Sequence, residues 1–427
     1  MCIRDRNYSF TYSSGGTLID INTGSTTLVS SGVDDTPSGL ASIGFDFVFM
    51  GQIYTQFSVS PDGFLKLGSP AATSQFTNSL TSTTNVPKIA PYWDDLATGT
   101  DGYVRYKLIG TAPNRQLVVE WKVTVPRNTG GPATTTYQAV LNETSGIVDF
   151  IYDPVPTGSA SYSVGMNTSA TQFASVTTTS NTVSYTTAND AQTASIAGGT
   201  QYTFTPPAAP DDPTGLSFTG VTASQMTLNW TDNATTETGY AVYRSLDNVT
   251  FTLVATLAAN STSYSASGLT PSTTYYWRVF AINEGRLSNA LTGSQATNAP
   301  SLSGTKTIGT GGDYATLTAA IADIQSQGLA GALTLEFLST YSGGETFPIT
   351  FTNLTTTSTN TLTVRPQTGV SGISISGSNT TAIIRIVNED YVFIDGRPGG
   401  SGTDREITIT NTGAGPAILF IDDASNN

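Results

Sequence analysis

Phe57-Ser58-Val59-Ser60-Pro61-Asp62-Gly63-Phe64-Leu65-Lys66-Leu67-Gly68 decides the fold class. Apolar and polar residues alternate on both sides of Pro61-Asp62-Gly63, so two half-buried strands meet at a tight turn. The same period of two runs upstream through Ile43-Gly44-Phe45-Asp46-Phe47-Val48-Phe49. Downstream it predicts strands over Tyr103–Leu108, Gln116–Val125, Tyr137–Glu143 and Val148–Tyr152, the last two joined by a hairpin at Asn142-Glu143-Thr144-Ser145-Gly146. Short strands at this spacing predict a β-sandwich. Threonine runs such as Thr134-Thr135-Thr136 and Thr355-Thr356-Thr357 suit pleated sheets and disfavour helices, so the whole chain reads as all-β.

Of 427 residues, 38% are hydrophobic and 11% charged, enough apolar material for real cores. That length predicts two to four units rather than one domain. The formal net charge of −14, with 17 Lys and Arg spread thinly, argues against nucleic acid and anionic bilayers as partners. Histidine is absent and the single cysteine is Cys2. Ser-His-Asp, Cys-His, His-metal and Cys-metal chemistry are thereby excluded, and so is an internal disulfide. No stretch reaches the ~20 apolar residues needed to span a bilayer. The opening Met1-Cys2-Ile3-Arg4-Asp5-Arg6 lacks the apolar core of a signal peptide. The expectation is that the true N-terminus lies upstream, and that Asp422–Asn427 likewise stop in mid-pattern.

Two proline-bearing junctions divide the chain. Pro206-Pro207-Ala208-Ala209-Pro210-Asp211-Asp212-Pro213 reads as a stiff, extended spacer, and Asn298-Ala299-Pro300 as a shorter one. The units they delimit are 7–206, 210–297 and 303–427. In the last, Leu317, Ala320, Ile321 and Ile324 fall at helical spacing, and Gly328 suits the helix end. Short β-branched bursts follow at Leu333–Phe337, Leu362–Val364, Ile373–Ile375, Ile383–Val387, Val392–Ile394, Ile407–Ile409 and Ile418–Ile421. Taken two at a time they recur every 20–25 residues or so, the length of a stacked solenoid coil.

Three resemblances follow from these residues. The ordered series Phe57–Gly68, Ile89-Ala-Pro-Tyr-Trp-Asp-Asp-Leu96, Gly102-Tyr-Val-Arg-Tyr106, Val118-Val-Glu-Trp121 and Tyr137-Gln-Ala-Val-Leu141 resembles the extracellular nidogen-type domain and its relatives in very large bacterial surface proteins. That resemblance implies an adhesive or matrix role without catalytic residues. Pro213-Thr-Gly-Leu216, Met226-Thr-Leu-Asn-Trp230, Gly239-Tyr-Ala-Val-Tyr-Arg244 and Leu269-Thr-Pro-Ser-Thr-Thr-Tyr275, followed by Trp277-Arg-Val279, resemble a fibronectin type III module. It implies Trp230 between the two sheets and Tyr275 as the tyrosine corner. The helix, the bursts and Asn388–Gly402 are similar to the N-terminal cap and first coils of a right-handed parallel β-helix of the pectate-lyase kind, with further coils expected beyond Asn427.

Trp93-Asp94-Asp95 with Asp101 is the best acidic cluster, and it reads either as calcium ligands or as acids capping turns in water. No other cofactor is expected. Asp390, Asp395, Arg397, Asp404, Arg405 and Glu406 surround a glycine-rich loop; they read as lyase or glycosidase machinery, or as a solvated loop with local ion pairs. Trp121 and Trp230 read as core, whereas Trp93, beside two aspartates, stays open as a sugar-stacking platform. The Gly311-Gly312 and Gly399–Gly402 runs lack the GK[ST] ending of a phosphate loop and read as turns.

The functional expectation is a non-catalytic piece of a secreted or cell-surface modular protein. It would serve adhesion or display, use the middle module as spacer, and meet an extracellular glycan or a host or matrix protein. The alternative is a polysaccharide-active β-helix enzyme whose active coils lie beyond residue 427.

Overall fold

A computed structural model describes residues 8–157 and 161–421. Met1–Arg6 with Cys2, and Asp422–Asn427, lie outside the described residues. The two strands of the opening motif form as Gln52–Ser60 and Phe64–Leu67, paired antiparallel from Phe57↔Leu67 to Ser60↔Phe64. Gly63 between them has φ +85°, and a Cβ there would sit 1.7 Å from the Tyr92 carbonyl oxygen, so glycine is required.

These strands belong to one of two packed seven-stranded sheets. The first runs Ser9–Ser13, Gln201–Thr205, Val148–Tyr152, Thr135–Asn142, Gln116–Val123, Tyr103–Ile109, Thr26–Val29. The second runs Thr182–Ser184, Phe173–Thr177, Ser163–Asn167, Lys88–Trp93, Phe64–Leu67, Gln52–Ser60, Ala41–Phe49. Aromatic side chains fill the space between them and tie the sheets with their polar tips. The Trp121 indole stacks on Tyr137 at 5.6 Å and donates to the Ser60 carbonyl at 2.8 Å; the Tyr152 hydroxyl donates to the Pro91 carbonyl at 2.6 Å.

Period-two alternation predicted half-buried strands, but Phe64–Leu67 and Lys88–Trp93 are buried on both faces. The outer face of the second sheet lies under the segment 69–87. Ala72 N–H donates to Ser58 Oγ at 2.7 Å, Lys66 Nζ to the Pro70 carbonyl at 2.5 Å, and Trp93 Nε1 to the Gln75 carbonyl at 2.9 Å.

The middle module pairs a three-stranded sheet (Thr214–Thr219, Met226–Thr231, Ser263–Ala266) with a four-stranded one (Thr252–Ala258, Gly239–Ser245, Thr274–Ile282, Leu291–Ala296). Trp230 packs against Tyr240 with ring centroids 5.6 Å apart, and the Tyr275 hydroxyl accepts from Thr270 N–H at 2.8 Å, the corner the sequence implied.

The Pro206–Pro213 spacer does not hold the first two units apart. Val48 and Ile53 of the first sandwich pack with Ala241, Tyr243, Phe280 and Ile282 of the middle module in one apolar cluster. Around it the Tyr243 hydroxyl donates to Asp46 at 2.6 Å, Gly51 N–H to the Glu284 carbonyl at 3.1 Å, and Arg286 Nε to the Ser145 carbonyl at 2.8 Å. A proline-rich link is extended by its own torsions, but burial of apolar surface at its two ends decides the domain geometry.

In the last unit the helix spans Leu317–Gln327, buries Leu317, Ala320, Ile321 and Ile324, and ends at Gly328 with φ +68°. Thr316 caps its start, and Glu345 accepts from Leu317 N–H and Thr318 N–H at 2.7 Å each, satisfying orphan donors at the positive end of the helix dipole. The following strands lie in three parallel sheets around one apolar core: Leu302–Ile308, Leu329–Phe337, Leu362–Pro366, Val392–Ile394; Ile349–Phe351, Ile384–Val387, Ile418–Ile421; and Ile373–Gly377, Ile407–Asn411. The 20–25-residue repeat is corrected by the register. Leu333 stands opposite Leu362 and Leu362 opposite Val392, offsets of 29 and 30, while Ile373 faces Ile407 and Ile384 faces Ile418, 34 each. The strands of this unit are thus shared among three parallel sheets rather than two.

If the apolar seam fixes the first two units to one another, they unfold together. Calorimetry of the full chain is expected to show one transition for both, and Val48→Asp, which buries an unpaired carboxylate there, should split it into two. Two transitions already present in the parent protein would show the seam to be energetically idle.

Candidate functional site

The acidic residues near the second sheet converge differently from their sequence spacing. Asp94 and Asp95 follow the strand Lys88–Trp93. Asp94 is buried and its Oδ1 accepts from Asp95 N–H at 2.8 Å. Asp101 is elsewhere, paired with Lys122 Nζ at 2.8 Å and accepting from Ala133 N–H at 2.7 Å, and these bonds hold its pKa below the usual carboxylate range. The structure therefore does not assemble Asp94, Asp95 and Asp101 into one set.

Asp95 meets Asp34 and Asp35 instead, from the loop after Thr26–Val29, with one carboxylate oxygen of each within 4.8 Å of the others. Arg127 closes this trio: its Nε donates to Asp34 Oδ1 at 2.8 Å, its Nη2 pairs with the same carboxylate, and Asp95 Oδ1 lies 3.1 Å from Nε. Because the Nε hydrogen is directed at Asp34, Asp95 Oδ1 has ion-pair proximity without a hydrogen bond; it and Asp35 Oδ1 are both shielded from solvent with no donor. Three carboxylates at this spacing match the hard-oxygen preference of a divalent cation, with Arg127 as the competing positive charge. The dipeptides Asp34-Asp35 and Asp94-Asp95 are both visible in the sequence, but nothing in it says that their two loops meet.

Asp62, in the Pro-Asp-Gly turn, lies behind this trio and is fully buried. Its Oδ2 accepts from Ser60 Oγ at 2.8 Å and its Oδ1 from Leu96 N–H at 3.4 Å. Burial pushes its pKa up to about 7, helped by the charges of Asp35 and Asp95 and opposed by those hydrogen bonds. Asp94 rises to about 6 for the same leading reason.

The other acidic group disperses into local pairs. Arg397 grips Asp395 through Nε at 2.9 Å and Nη2 at 2.8 Å, pulling the carboxyl down to about 2; Glu406 accepts from Gly372 N–H at 2.8 Å; and Arg405 donates to the Thr403 carbonyl at 2.9 Å. Trp93 is not a sugar platform: it is fully buried, and Lys88 Nζ sits 3.4 Å from its ring centroid. Trp121, Trp230 and Trp277 are buried too. A concavity of about 590 Å³ lies between the first two units and is walled by Asp46, Arg115, Tyr243, Phe251, Arg278 and Arg286. Sequence reading missed it because its walls come from separate domains. Among the described residues, no helix is long and apolar enough to cross a membrane.

Comparison with known proteins places this geometry. Residues 7–206 match the family described as NIDO related, and residues 211–294 match the fibronectin type III domain. The chain carries one domain of each kind. Among solved structures, a Fn3-like protein from Clostridium thermocellum is 29% identical, covering 23% of this chain and all of its own, with a TM-score of 0.19. The protein FN3tt is 26% identical over 22% of this chain and 98% of its own (TM-score 0.20). The fn3 domain of human collagen alpha-1(XX) chain is 18% identical over 23% and 94% (TM-score 0.21). Both domain types are typical of modular extracellular proteins.

Asp62 makes stability depend on pH in a defined direction. The folded state holds the Asp62 proton to about 7, whereas the unfolded carboxyl titrates near 3.8. The contribution is therefore fully present below 3.8 and lost as pH rises to about 7, by a few kcal/mol at most. Asp62→Asn should flatten that decline in chemical-denaturation curves; an unchanged pH slope would remove Asp62 as its source.

Proposed function

We propose that this chain is a non-catalytic presentation segment of a secreted or cell-surface protein. In it the fibronectin type III domain holds the NIDO-related domain in a fixed pose on the start of a right-handed parallel β-helix. The observation that carries the reading is that the middle module is gripped at both ends. The apolar seam around Val48 and Tyr243 joins it to the first domain, and Ser224 Oγ donates to the Gln325 and Ser326 carbonyls at the C-terminal end of the helix. A spacer gripped on both sides transmits orientation and load, which suits display and adhesion. Right-handedness of the stacked coils follows from the general preference of parallel crossovers. The expected partner is an extracellular glycan or a matrix protein. The full chain should bind members of an immobilised panel of these saturably, without releasing new reducing ends or unsaturated sugars. Turnover of any glycan on the panel would overturn the reading.

Calcium enters this proposal at Asp34, Asp35 and Asp95, supported by the two donor-free oxygens of Asp35 and Asp95. Arg127 competes for the same charge. Removing it in Arg127→Ala should therefore raise the calcium-induced shift in melting temperature, and Asp95→Asn should abolish it. Asp101→Asn, in the separate Lys122 pair, should leave it intact. A shift lost equally in Asp101→Asn and Asp95→Asn would return the ligand set to Asp94, Asp95 and Asp101.

A further inference from the structure

Lys88 is fully enclosed beneath the 69–87 segment. Its Nζ lies 3.4 Å from the centroid of Trp93 and 4.9 Å from that of Phe64, and its hydrogen-bond acceptor is an amide: Gln75 Oε1, 2.9 Å away. Enclosure pushes the amine's pKa down to about 7, with the negative charge of Asp190 opposing, so above that pH its lone pair is free. The amide is held at every polar atom. Asn85 Nδ2 donates to Oε1 at 3.1 Å, Nε2 donates to Ser82 Oγ at 2.8 Å, and the Gln75 backbone carbonyl accepts from Trp93 Nε1 at 2.9 Å. Asn85 is itself fixed, its Oδ1 accepting from Thr73 N–H at 2.9 Å and its Nδ2 also donating to the Thr73 carbonyl at 2.8 Å. The Lys88 Nζ thus rests 2.9 Å from the carbonyl oxygen of a polarised amide, in a dry aromatic pocket. This is the arrangement in which an intramolecular reaction gains most from positioning.

We propose that Lys88 and Gln75 form an intramolecular amide cross-link, which the folded chain makes by itself and which ties the 69–87 segment to the strand beneath it. The Nζ lone pair attacks Gln75 Cδ and a C–N bond forms. The negative charge developing on Oε1 is met by the Asn85 Nδ2 donor. The Cδ–Nε2 bond then breaks, and the nitrogen leaves as ammonia with a proton that Nζ gives up. One amine and one primary amide become one secondary amide and one ammonia; no oxidant, reductant or co-reactant takes part. The cross-link also resolves two physical oddities. A buried lysine matched only to an amide is costly, and its conversion to a neutral amide removes that cost. The segment 69–87 has no helix or strand of its own and, with the sequence's single cysteine at position 2, no disulfide to hold it.

The test is the intact mass of the denatured full chain after incubation at mildly alkaline pH, with peptide mapping. The expected mass is short of the sequence mass by one ammonia, and a protease digest contains one branched peptide joining the segments around Gln75 and Lys88. Lys88→Arg and Gln75→Ala should each restore the full mass. Asn85→Ala should slow formation by about 100-fold, the usual loss when one oxyanion donor is removed. A wild-type chain of full sequence mass overturns the proposal, and so does a deficit that survives Lys88→Arg. The wild-type measurement decides by itself, so a variant that folds poorly does not blunt it.

Discussion

Every sheet in this chain has two faces, and the first domain leaves neither sheet bare on its outer side. Leu18, Ile19 and Ile21 cover Val118, Val140 and Ile151 on the outside of the first sheet, pinned by a reciprocal pair of bonds between Gln138 and the Ile19 backbone, 2.9 and 2.8 Å. The 69–87 segment covers Phe64, Ala90 and Trp93 on the second, and the fibronectin type III domain covers Val48 and Ile53 further along it. A two-layer sandwich thereby gains a partial third and fourth layer without a further sheet. Residues that would face water in an ordinary sandwich become interior, and the burial of polar groups follows from that.

Buried polar groups must find partners or lose several kcal/mol. Glu120, on the outside of the first sheet, meets the requirement with Arg105 at 2.6 Å, Tyr103 at 3.1 Å and Gln138 at 2.7 Å. On the second sheet the partners are amides, hydroxyls and backbone carbonyls, the groups that a Thr-, Ser- and Asn-rich loop supplies. The composition that reads as simple sheet-former therefore has a second use: it stocks the covering segments with short polar side chains that can satisfy whatever they seal in.

What the sequence made legible tracks local periodicity. The helix stripe Leu317, Ala320, Ile321, Ile324 and the hairpin at Pro61-Asp62-Gly63 depend on residues close in the chain, and each is where spacing placed it, while Trp230 and Tyr275 stand where the fibronectin type III resemblance implied. The covering segments have no period to read, because irregular chain that lies flat on a sheet needs none. The coil length was misjudged for a related reason. Ile349–Phe351 stands outside the bursts singled out, and without it strands that fall in three sheets look as if they fall in two. The Asp34, Asp35, Asp95 and Arg127 constellation joins residues 93 positions apart at its widest, so only the fold brings them together.

The same covering sets an opposition between two buried groups on the second sheet. Asp62 is pushed up to about 7 from 3.8 and Lys88 down to about 7 from 10.5, each mainly by burial. For the carboxyl, stability is lost as pH rises from 3.8 to 7; for the amine, it is lost as pH falls from 10.5 to 7. Both penalties are thus largest together near neutrality, where neither group is comfortably charged and the unfolded chain would charge both. A domain that buries both must recover the loss from its layers of apolar contact, or else abolish one of the titrations. Converting the Lys88 amine to an amide does the latter: it deletes the alkaline limb and leaves the acid limb of Asp62 untouched, so the cross-linked domain would be governed at neutral pH by a single carboxyl rather than by two opposed charges.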